Sequence, residues 1–193
     1  MIEWLESIDR DIVLFINGLH QPFLDELMWF ISGKIVWIPF YLFLIYLFYR
    51  KSSLRAAGIF VLVAIAAVGL ADFISSQIIK DTVMRYRPSH NALLTHKLHF
   101  YTMATGEQYK GGEFGFVSSH AANFFAICTF TFLCLKEWYP RSWWLLGVAV
   151  LVSFSRLYLG VHYVTDLFFG GLLGATISWL LYRFVFLNLK SKV

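Results

Sequence analysis

Long apolar stretches alternate with short polar ones along most of this 193-residue chain. Five of the apolar stretches reach or approach the roughly 20 residues that an α-helix needs to cross a bilayer. The fourth is short, but Pro140 suits the first turn of a helix, and Trp143 and Trp144 suit a membrane interface. The pattern predicts an all-α protein, a polytopic transmembrane helix bundle with about five spans. The predicted spans are residues 24–49, 54–79, 118–136, 140–157 and 163–187.

The N-terminal stretch, residues 2–19, has a different pattern. Acidic residues alternate with apolar ones at helical spacing, and the stretch is too polar to span a membrane. We therefore expect an amphipathic helix in the membrane interface, with a sixth span as the alternative. Because neither a repeat nor a linker divides the sequence, residues 1–193 are expected to form a single integral-membrane domain.

Composition supports a membrane location. Hydrophobic residues make up 59% of the chain, aromatic residues 19%, and the mean hydropathy is +0.64, which ordinary soluble domains do not reach. When the five spans are threaded through a bilayer, eight of the 16 Lys and Arg residues lie on one side with a single acidic residue. Positively charged flanks mark the cytoplasmic side. Cys128 and Cys134 would point to different sides of one helix, so we expect no disulfide between them.

Side chains that suit phosphate binding recur at the ends of three predicted spans. Lys80 and Arg87 are seven residues apart, so they share one face if that stretch is helical. Arg156 supplies a third cation. Ser118 and Ser119 open a span, where hydroxyls and helix N-terminal N–H groups can bind an anion. In the five-span threading these groups lie together, on the side away from the cytoplasm.

Two histidines and an aspartate accompany the cations. His162 and Asp166 are four residues apart, so on one helix face the carboxylate can hold the imidazole in a chosen tautomer. His120, next to the two serines, is a second and independent proton carrier. Several fixed cations around one point can stabilise a transferring phosphoryl group without a metal ion. The sequence therefore predicts a metal-free phosphotransfer site with no cofactor.

The joint spacing of these residues resembles a known three-part signature. Lys80-x6-Arg87-Pro88, then Ser118-Ser119-His120, then Arg156-x5-His162-x3-Asp166 is similar to the motifs of the type 2 phosphatidic acid phosphatase (PAP2) superfamily. The resemblance implies a helical core, no metal, a phosphohistidine intermediate on His162 and general acid catalysis by His120.

The second motif departs from the family pattern, because Ser119 stands where glycine is usual. A glycine lets a backbone N–H approach a phosphate oxygen closely. We expect phosphate binding to survive in this chain, with the two serine hydroxyls as additional donors.

Other polar residues receive simpler interpretations. Arg85 is expected to be an anchor at the membrane surface, well off the Lys80/Arg87 face. Histidines 90, 96 and 99 match no standard ligand spacing and are expected to be solvated loop residues. Residues 89–117 are expected to form a lid or substrate collar, with simple packing against the bundle as the alternative.

Two charges lie within predicted spans, Lys34 in the first and Asp72 in the second. They sit at similar depth, and an unpaired charge there would cost several kcal/mol. We therefore expect an ion pair between them, with a place for Lys34 along the substrate path as the alternative.

The expected function is that of a lipid phosphatase whose active site faces away from the cytoplasm. Polyprenyl diphosphate, phosphatidylglycerol phosphate, phosphatidate and the phosphates of lipid A all remain candidate substrates. The alternative is a non-enzymatic transporter or binding protein for a phosphorylated lipid, although binding alone needs no proton carrier. The expected partners are this lipid and the membrane, with no nucleic acid, and the oligomeric state is left open.

Overall fold

A computed structural model describes residues 2–192 of the chain. Helix makes up 72% of the structure, and the described residues form no β-strand. The prediction of an all-α protein is confirmed. In chain order the main helices are α1 Ile2–Asn17, α2 Pro22–Ser32, α3 Ile35–Tyr49, α4 Leu54–Val83, α5 Ser119–Leu135, α6 Trp144–Tyr158 and α7 Val164–Lys190.

Helix α5 lies at the centre of the bundle and packs against α4, α6 and α7. Its closest neighbour is α7, which turns three glycines towards it. A Cβ added at Gly174 would collide with the carbonyl of Ala122, and one at Gly170 would lie 2.6 Å from the carbonyl of Ser118. The absence of side chains at these glycines therefore lets the backbones of α5 and α7 approach closely.

The predicted count of five spans is not confirmed. By length and composition, α4 with 30 residues and α7 with 27 can cross a membrane. The first predicted span is broken at Gly33 and Lys34, where α2 and α3 meet with a bend of 71°, so the pair is at most one broken span. Helices α5 and α6 are apolar but have 17 and 15 residues, about 26 and 23 Å of helix.

The N-terminal stretch is helical as expected, but α1 packs on the bundle against α6 and α7. Val13 and the polar residues Asp9 and Asn17 are buried there, between 0% and 2% exposed. The polar face of this helix is thus partly turned towards protein.

One end of the bundle collects the residues of interest. It contains the end of α4, the start of α5, the end of α6 and the start of α7. Helix α4 passes through a π-helical turn at Ile74–Ile79 before it ends at Val83, and such turns are often found at functional sites. Residues 84–118 then cross this end and connect α4 to α5.

Candidate active site

The imidazole of His162 and the carboxylate of Asp166 meet where α7 begins. His162 lies two residues before the helix, and its Nδ1 is 3.3 Å from Asp166 Oδ2. The same oxygen accepts a hydrogen bond from the backbone N–H of Tyr163 at 3.0 Å, which caps the helix and fixes the carboxylate. Both side chains are buried, with exposed fractions of 1% and 0%. The pair therefore forms through a helix cap and not along one helix face.

Arg87 determines which ring nitrogen of His162 carries the proton. Its Nη1 lies 3.0 Å from His162 Nε2. Because a guanidinium has only donors, Nε2 must accept this hydrogen bond, and the ring proton lies on Nδ1, facing Asp166. Burial, followed by the charge of Arg87, lowers the pKa of His162 well below its usual value. The ring is therefore neutral, and its unprotonated nitrogen is Nε2, which accepts from Arg87.

The side chain of Arg87 is held by the segment that crosses the end of the bundle. Its Nε donates to the carbonyl of Phe114 at 3.1 Å, and its Nη1 also donates to the carbonyl of Val161 at 3.2 Å. A Cβ on Gly111 or Gly115 would lie 3.1 Å from atoms of this side chain. The two glycines thus leave the space that the guanidinium needs.

The expectation that Lys80 and Arg87 share a helix face is wrong. The helix ends at Val83, because Met84 adopts a left-handed conformation with φ of 48°. Arg87 then lies in extended backbone, and its N–H donates to the carbonyl of Glu113 at 3.0 Å. The two cations reach the same end of the bundle from a helix and from a loop.

Lys80 is joined to the start of α5. Its Nζ donates to Ser119 Oγ at 2.8 Å, and Ser75 of α4 donates to the same oxygen at 3.0 Å. Ser118 is the N-cap of α5 and its hydroxyl accepts from the N–H of Ala121 at 3.5 Å. The Ser119 side chain, where the family pattern has glycine, is therefore a partner of the lysine.

Arg156, at the end of α6, is 3% exposed. Its Nη1 donates to Ser32 Oγ, and its Nη2 donates to the hydroxyl of Tyr109 at 2.6 Å. Its buried Nε has no hydrogen-bond partner among residues 2–192. Since a buried guanidinium N–H is costly to leave unpaired, an anion at this position would supply the missing acceptor.

His120 lies in the first turn of α5, next to Ser119, and its side chain is half-buried. Within the described part of the chain its ring makes no hydrogen bond to another protein group. After burial, the nearby side chains of Arg87, Arg156, Lys80 and His120 contribute in that order to the lowered pKa of His162. The structure therefore gathers three cations and two histidines around one point at this end of the bundle.

Comparison with known proteins identifies the arrangement. The model of the PAP2 superfamily matches residues 57–190. The chain belongs to the PAP2 superfamily. The predictions of this family and of a membrane phosphatase that hydrolyses a lipid phosphate are confirmed.

Two relatives are similar over most of their length. A lipid A 4'-phosphatase of Bacteroides thetaiotaomicron is 35% identical over 94% of this chain and 79% of its own. A lipid A 4'-phosphatase of Porphyromonas gingivalis is 32% identical, and the alignment covers 99% of this chain and 78% of the relative. The crystal structure of a transmembrane PAP2 type phosphatidylglycerolphosphate phosphatase from Bacillus subtilis has the same fold, with a TM-score of 0.66, 24% identity and coverage of 93% and 85%.

Arg85 is a residue of this PAP2 site that the sequence analysis missed, and its expected place at the membrane surface is wrong. Its Nη1 lies 2.9 Å from Asp166 Oδ1 and its Nη2 lies 2.9 Å from Asp9 Oδ2. The guanidinium also lies over the ring of Tyr163, 4.1 Å from the centroid. Arg85 thus connects α1 to the carboxylate that orients His162.

The expected ion pair between Lys34 and Asp72 is also absent from residues 2–192. The carboxylate of Asp72 instead accepts from the side-chain amide of Asn123 at 2.8 Å. The break at Gly33 explains the difference, because the bend between α2 and α3 invalidates a depth counted along one straight helix. Lys34 is exposed, two residues after the Ser32 that contacts Arg156.

The segment predicted as a collar over the PAP2 site takes part in two sets of contacts. Phe114 and Tyr109 hold Arg87 and Arg156, as described above. Leu94, Leu98 and Phe100 are buried against α1 and the bundle. The segment therefore positions the cations while packing on the helices. His90 and His96 are exposed as expected, whereas His99 is paired with Asp25.

Proposed function

We propose that this PAP2 phosphatase hydrolyses the 4'-phosphate of lipid A through a phosphohistidine intermediate, without a metal ion. The observation that carries the mechanism is the chain of contacts from Arg87 through His162 to Asp166. It gives a neutral imidazole, with Nε2 unprotonated, and a carboxylate behind the opposite nitrogen. The two lipid A 4'-phosphatases that align with 94% and 99% of this chain support the choice of substrate.

In the first step His162 Nε2 attacks phosphorus. The N–P bond forms while the bond between phosphorus and the ester oxygen breaks, and His120 gives its proton to this departing oxygen, which leaves as a hydroxyl. Asp166 stabilises the positive charge that develops on the imidazole. Lys80, Arg87, Arg156 and the N–H groups at the start of α5 bind the phosphoryl oxygens, where negative charge accumulates.

In the second step water attacks the phosphohistidine. His120 now takes a proton from this water, the N–P bond breaks, and inorganic phosphate leaves. Each proton that His120 donates in the first step is thereby recovered in the second. Since three fixed cations already surround the phosphoryl group, the reaction requires no divalent ion.

The active site is proposed to face away from the cytoplasm. The end of the bundle opposite the site contains the first residues of α4 and α6 and the last residues of α3, α5 and α7. Lys and Arg residues are frequent at this end. They include Arg50, Lys51, Arg55, Lys136, Arg141 and Lys190. Positive flanks favour the cytoplasmic side, so the opposite end lies outside. In this orientation Arg50 and Ser119 lie on opposite sides of the membrane. The chain must therefore cross the membrane once between them, and α4 is long enough to do so.

The substrate assignment is tested with a panel of lipids on purified protein in detergent. Lipid A with both phosphates, phosphatidylglycerol phosphate, phosphatidate and polyprenyl diphosphate are each supplied with and without EDTA, and His162→Asn is the control. We expect lipid A to lose its 4'-phosphate, as mass spectrometry would show, with at least about tenfold higher kcat/KM than the other lipids. Preference for another lipid overturns the substrate, and EDTA inhibition reversed by magnesium overturns the metal-free mechanism.

The orientation is tested with single cysteines in intact cells. His96→Cys, in the exposed part of the segment over the site, should react with a membrane-impermeant thiol reagent. Lys51→Cys, at the opposite end, should react only after the cells are opened. The native Cys128 and Cys134 are buried and give little background. The reverse labelling pattern would place the site on the cytoplasmic side.

A further inference from the structure

A second cluster of chemically capable side chains lies outside the active site. His20 follows α1, Asp25 is in the first turns of α2, and His99 belongs to the segment that crosses the end of the bundle. One ligand atom from each, a ring nitrogen or a carboxylate oxygen, lies within 4.8 Å of the other two. We propose that His20, Asp25 and His99 form a binding site for a divalent transition-metal ion, with Zn²⁺ as the ion they suit best.

The distances fit a shared ion. Two ligand atoms at 2.0–2.1 Å from a tetrahedral zinc lie about 3.4 Å apart. His99 Nε2 and Asp25 Oδ2 are 3.0 Å apart. The ring of His20 stacks on that of His99, with centroids 4.1 Å apart and an angle of 13° between the planes. Since His20 is exposed and one of its ring nitrogens already lies within 4.8 Å of the other two ligand atoms, we expect a rotation of its side chain to complete the site.

The groups behind these side chains are already fixed. Buried Asn17 donates to the carbonyl of His99 at 2.9 Å and accepts from the N–H of His99 at 2.8 Å. The second oxygen of Asp25 accepts from the hydroxyl of Tyr158 at 2.7 Å. The bond from Tyr158 holds the Asp25 carboxylate in the way that outer hydrogen bonds commonly hold metal ligands. Asn17 fixes the backbone of His99, so two of the three ligand residues are held in place from behind.

The set of donors selects the class of ion. Two imidazole nitrogens and one carboxylate oxygen suit Zn²⁺, whereas Mg²⁺ and Ca²⁺ prefer oxygen ligands alone. Three protein ligands leave a fourth position for water. The site is thus separate from the phosphate-binding residues, and catalysis does not pass through it.

A bound ion would join the collar segment to α2. Two residues beyond His99, Tyr101 stacks on Trp29 of α2 with centroids 4.6 Å apart. Tyr109 packs edge-on against the same indole and accepts from Arg156. The ion would therefore stabilise the part of the segment that positions Arg156, as a structural clip.

The test uses full-length protein in detergent without a polyhistidine tag. After chelation and dialysis the protein is titrated with Zn²⁺ by calorimetry and with Co²⁺, whose visible spectrum reports coordination. We expect one ion per chain, a Co²⁺ spectrum typical of nitrogen and oxygen ligands, and slower amide exchange around His99 in the loaded protein. His20→Ala/His99→Ala should weaken binding at least about 100-fold, and His96→Ala, an exposed histidine in the same segment, should leave it unchanged.

The outcome separates this site from the active site. If His120→Asn and His162→Asn still bind one ion per chain, the result supports the proposed site at His20, Asp25 and His99. If those two variants lose binding, the ion lies at the active-site histidines and the proposal is wrong. Failure of the parent protein to take up Zn²⁺ at micromolar concentration also overturns it. A far-ultraviolet circular dichroism spectrum equal to that of the parent shows that His20→Ala/His99→Ala is folded.

Discussion

Arg85 Nη1 lies 2.9 Å from Asp166 Oδ1, while the other oxygen of the same carboxylate faces His162 Nδ1. One buried carboxylate is thus shared between a cation and His162, the proposed nucleophile. The second terminal nitrogen of Arg85 binds the buried carboxylate of Asp9 in α1. The N-terminal helix is therefore connected to the reacting atom through two side chains.

Arg85→Gln should impair both folding and catalysis. It leaves two buried carboxylates without their cation, and breaking such a pair from one side costs about 3–5 kcal/mol. We expect a lower unfolding temperature and a kcat reduced at least about tenfold, since Asp166 is no longer held against His162. Arg10→Gln is the matched control, because within residues 2–192 the one ion pair of Arg10 is with Glu6 at 3.8 Å, between partly exposed side chains. Parental kcat in Arg85→Gln would contradict a positioning role.

His162→Asn and His120→Asn should fail at different steps. The first variant lacks the nucleophile, so no phosphoenzyme forms from radiolabelled substrate after an alkaline quench. The second can still form it, but both formation and hydrolysis slow by about 100-fold or more, as expected for a lost proton carrier. Turnover near the parental rate in His162→Asn would rule out the proposed nucleophile.

The rate of phosphoenzyme formation should depend little on mild acidity. A histidine with the ordinary pKa of about 6.5 is only about 10% neutral at pH 5.5, and its attack would slow about tenfold. Because burial and Arg87 hold the pKa of His162 well below that value, the nucleophile stays neutral. Single-turnover rates with an aryl phosphate, whose leaving group needs no proton, should decrease less than about threefold between pH 7.5 and 5.5 once they are corrected for the ionisation of the substrate phosphate, whose second pKa is about 6. A tenfold decrease with a midpoint near 6.5 would contradict the neutral buried imidazole.

Gly174→Ala should separate α5 from α7. The new methyl group meets the carbonyl of Ala122, a backbone atom that cannot rotate away. Overpacking of this kind costs about 1–3 kcal/mol, and the displaced helices carry His120 and Asp166. Gly69→Ala is the control, since nothing lies within 4 Å of a Cβ at that helical position. Thermal unfolding and kcat should fall in the first variant and stay near parental values in the second.

The helices and most of the site could be predicted from sequence because both depend on local patterns. A membrane helix needs a continuous apolar run, so α4 and α7 follow from hydropathy alone. The motif residues are few and regularly spaced, and the structure gathers them at one end of the bundle. The bend at Gly33 could not be predicted in this way, since the apolar residues on both sides of Gly33 and Lys34 together satisfy the hydropathy pattern of one span.

The missed contacts join residues that are distant in sequence. Arg85 is 76 residues from Asp9 and 81 from Asp166, and an arginine at the end of a span has the same local pattern whether it faces lipid or a carboxylate. The expected continuation of α4 to Arg87 is wrong for a different reason. Met84 takes up a left-handed conformation that usually calls for glycine or asparagine, so nothing in the sequence marked it.

The hydrogen bond from Arg87 to His162 Nε2 also protects the resting enzyme. An exposed, neutral imidazole nitrogen is a good ligand for any zinc or copper ion that reaches it. Here a permanent cation covers that nitrogen and repels other cations, while an anionic phosphate can draw the guanidinium onto its own oxygens. Under the proposed mechanism the arrival of the substrate would uncover the nucleophile, which stays masked against metal ions in its absence.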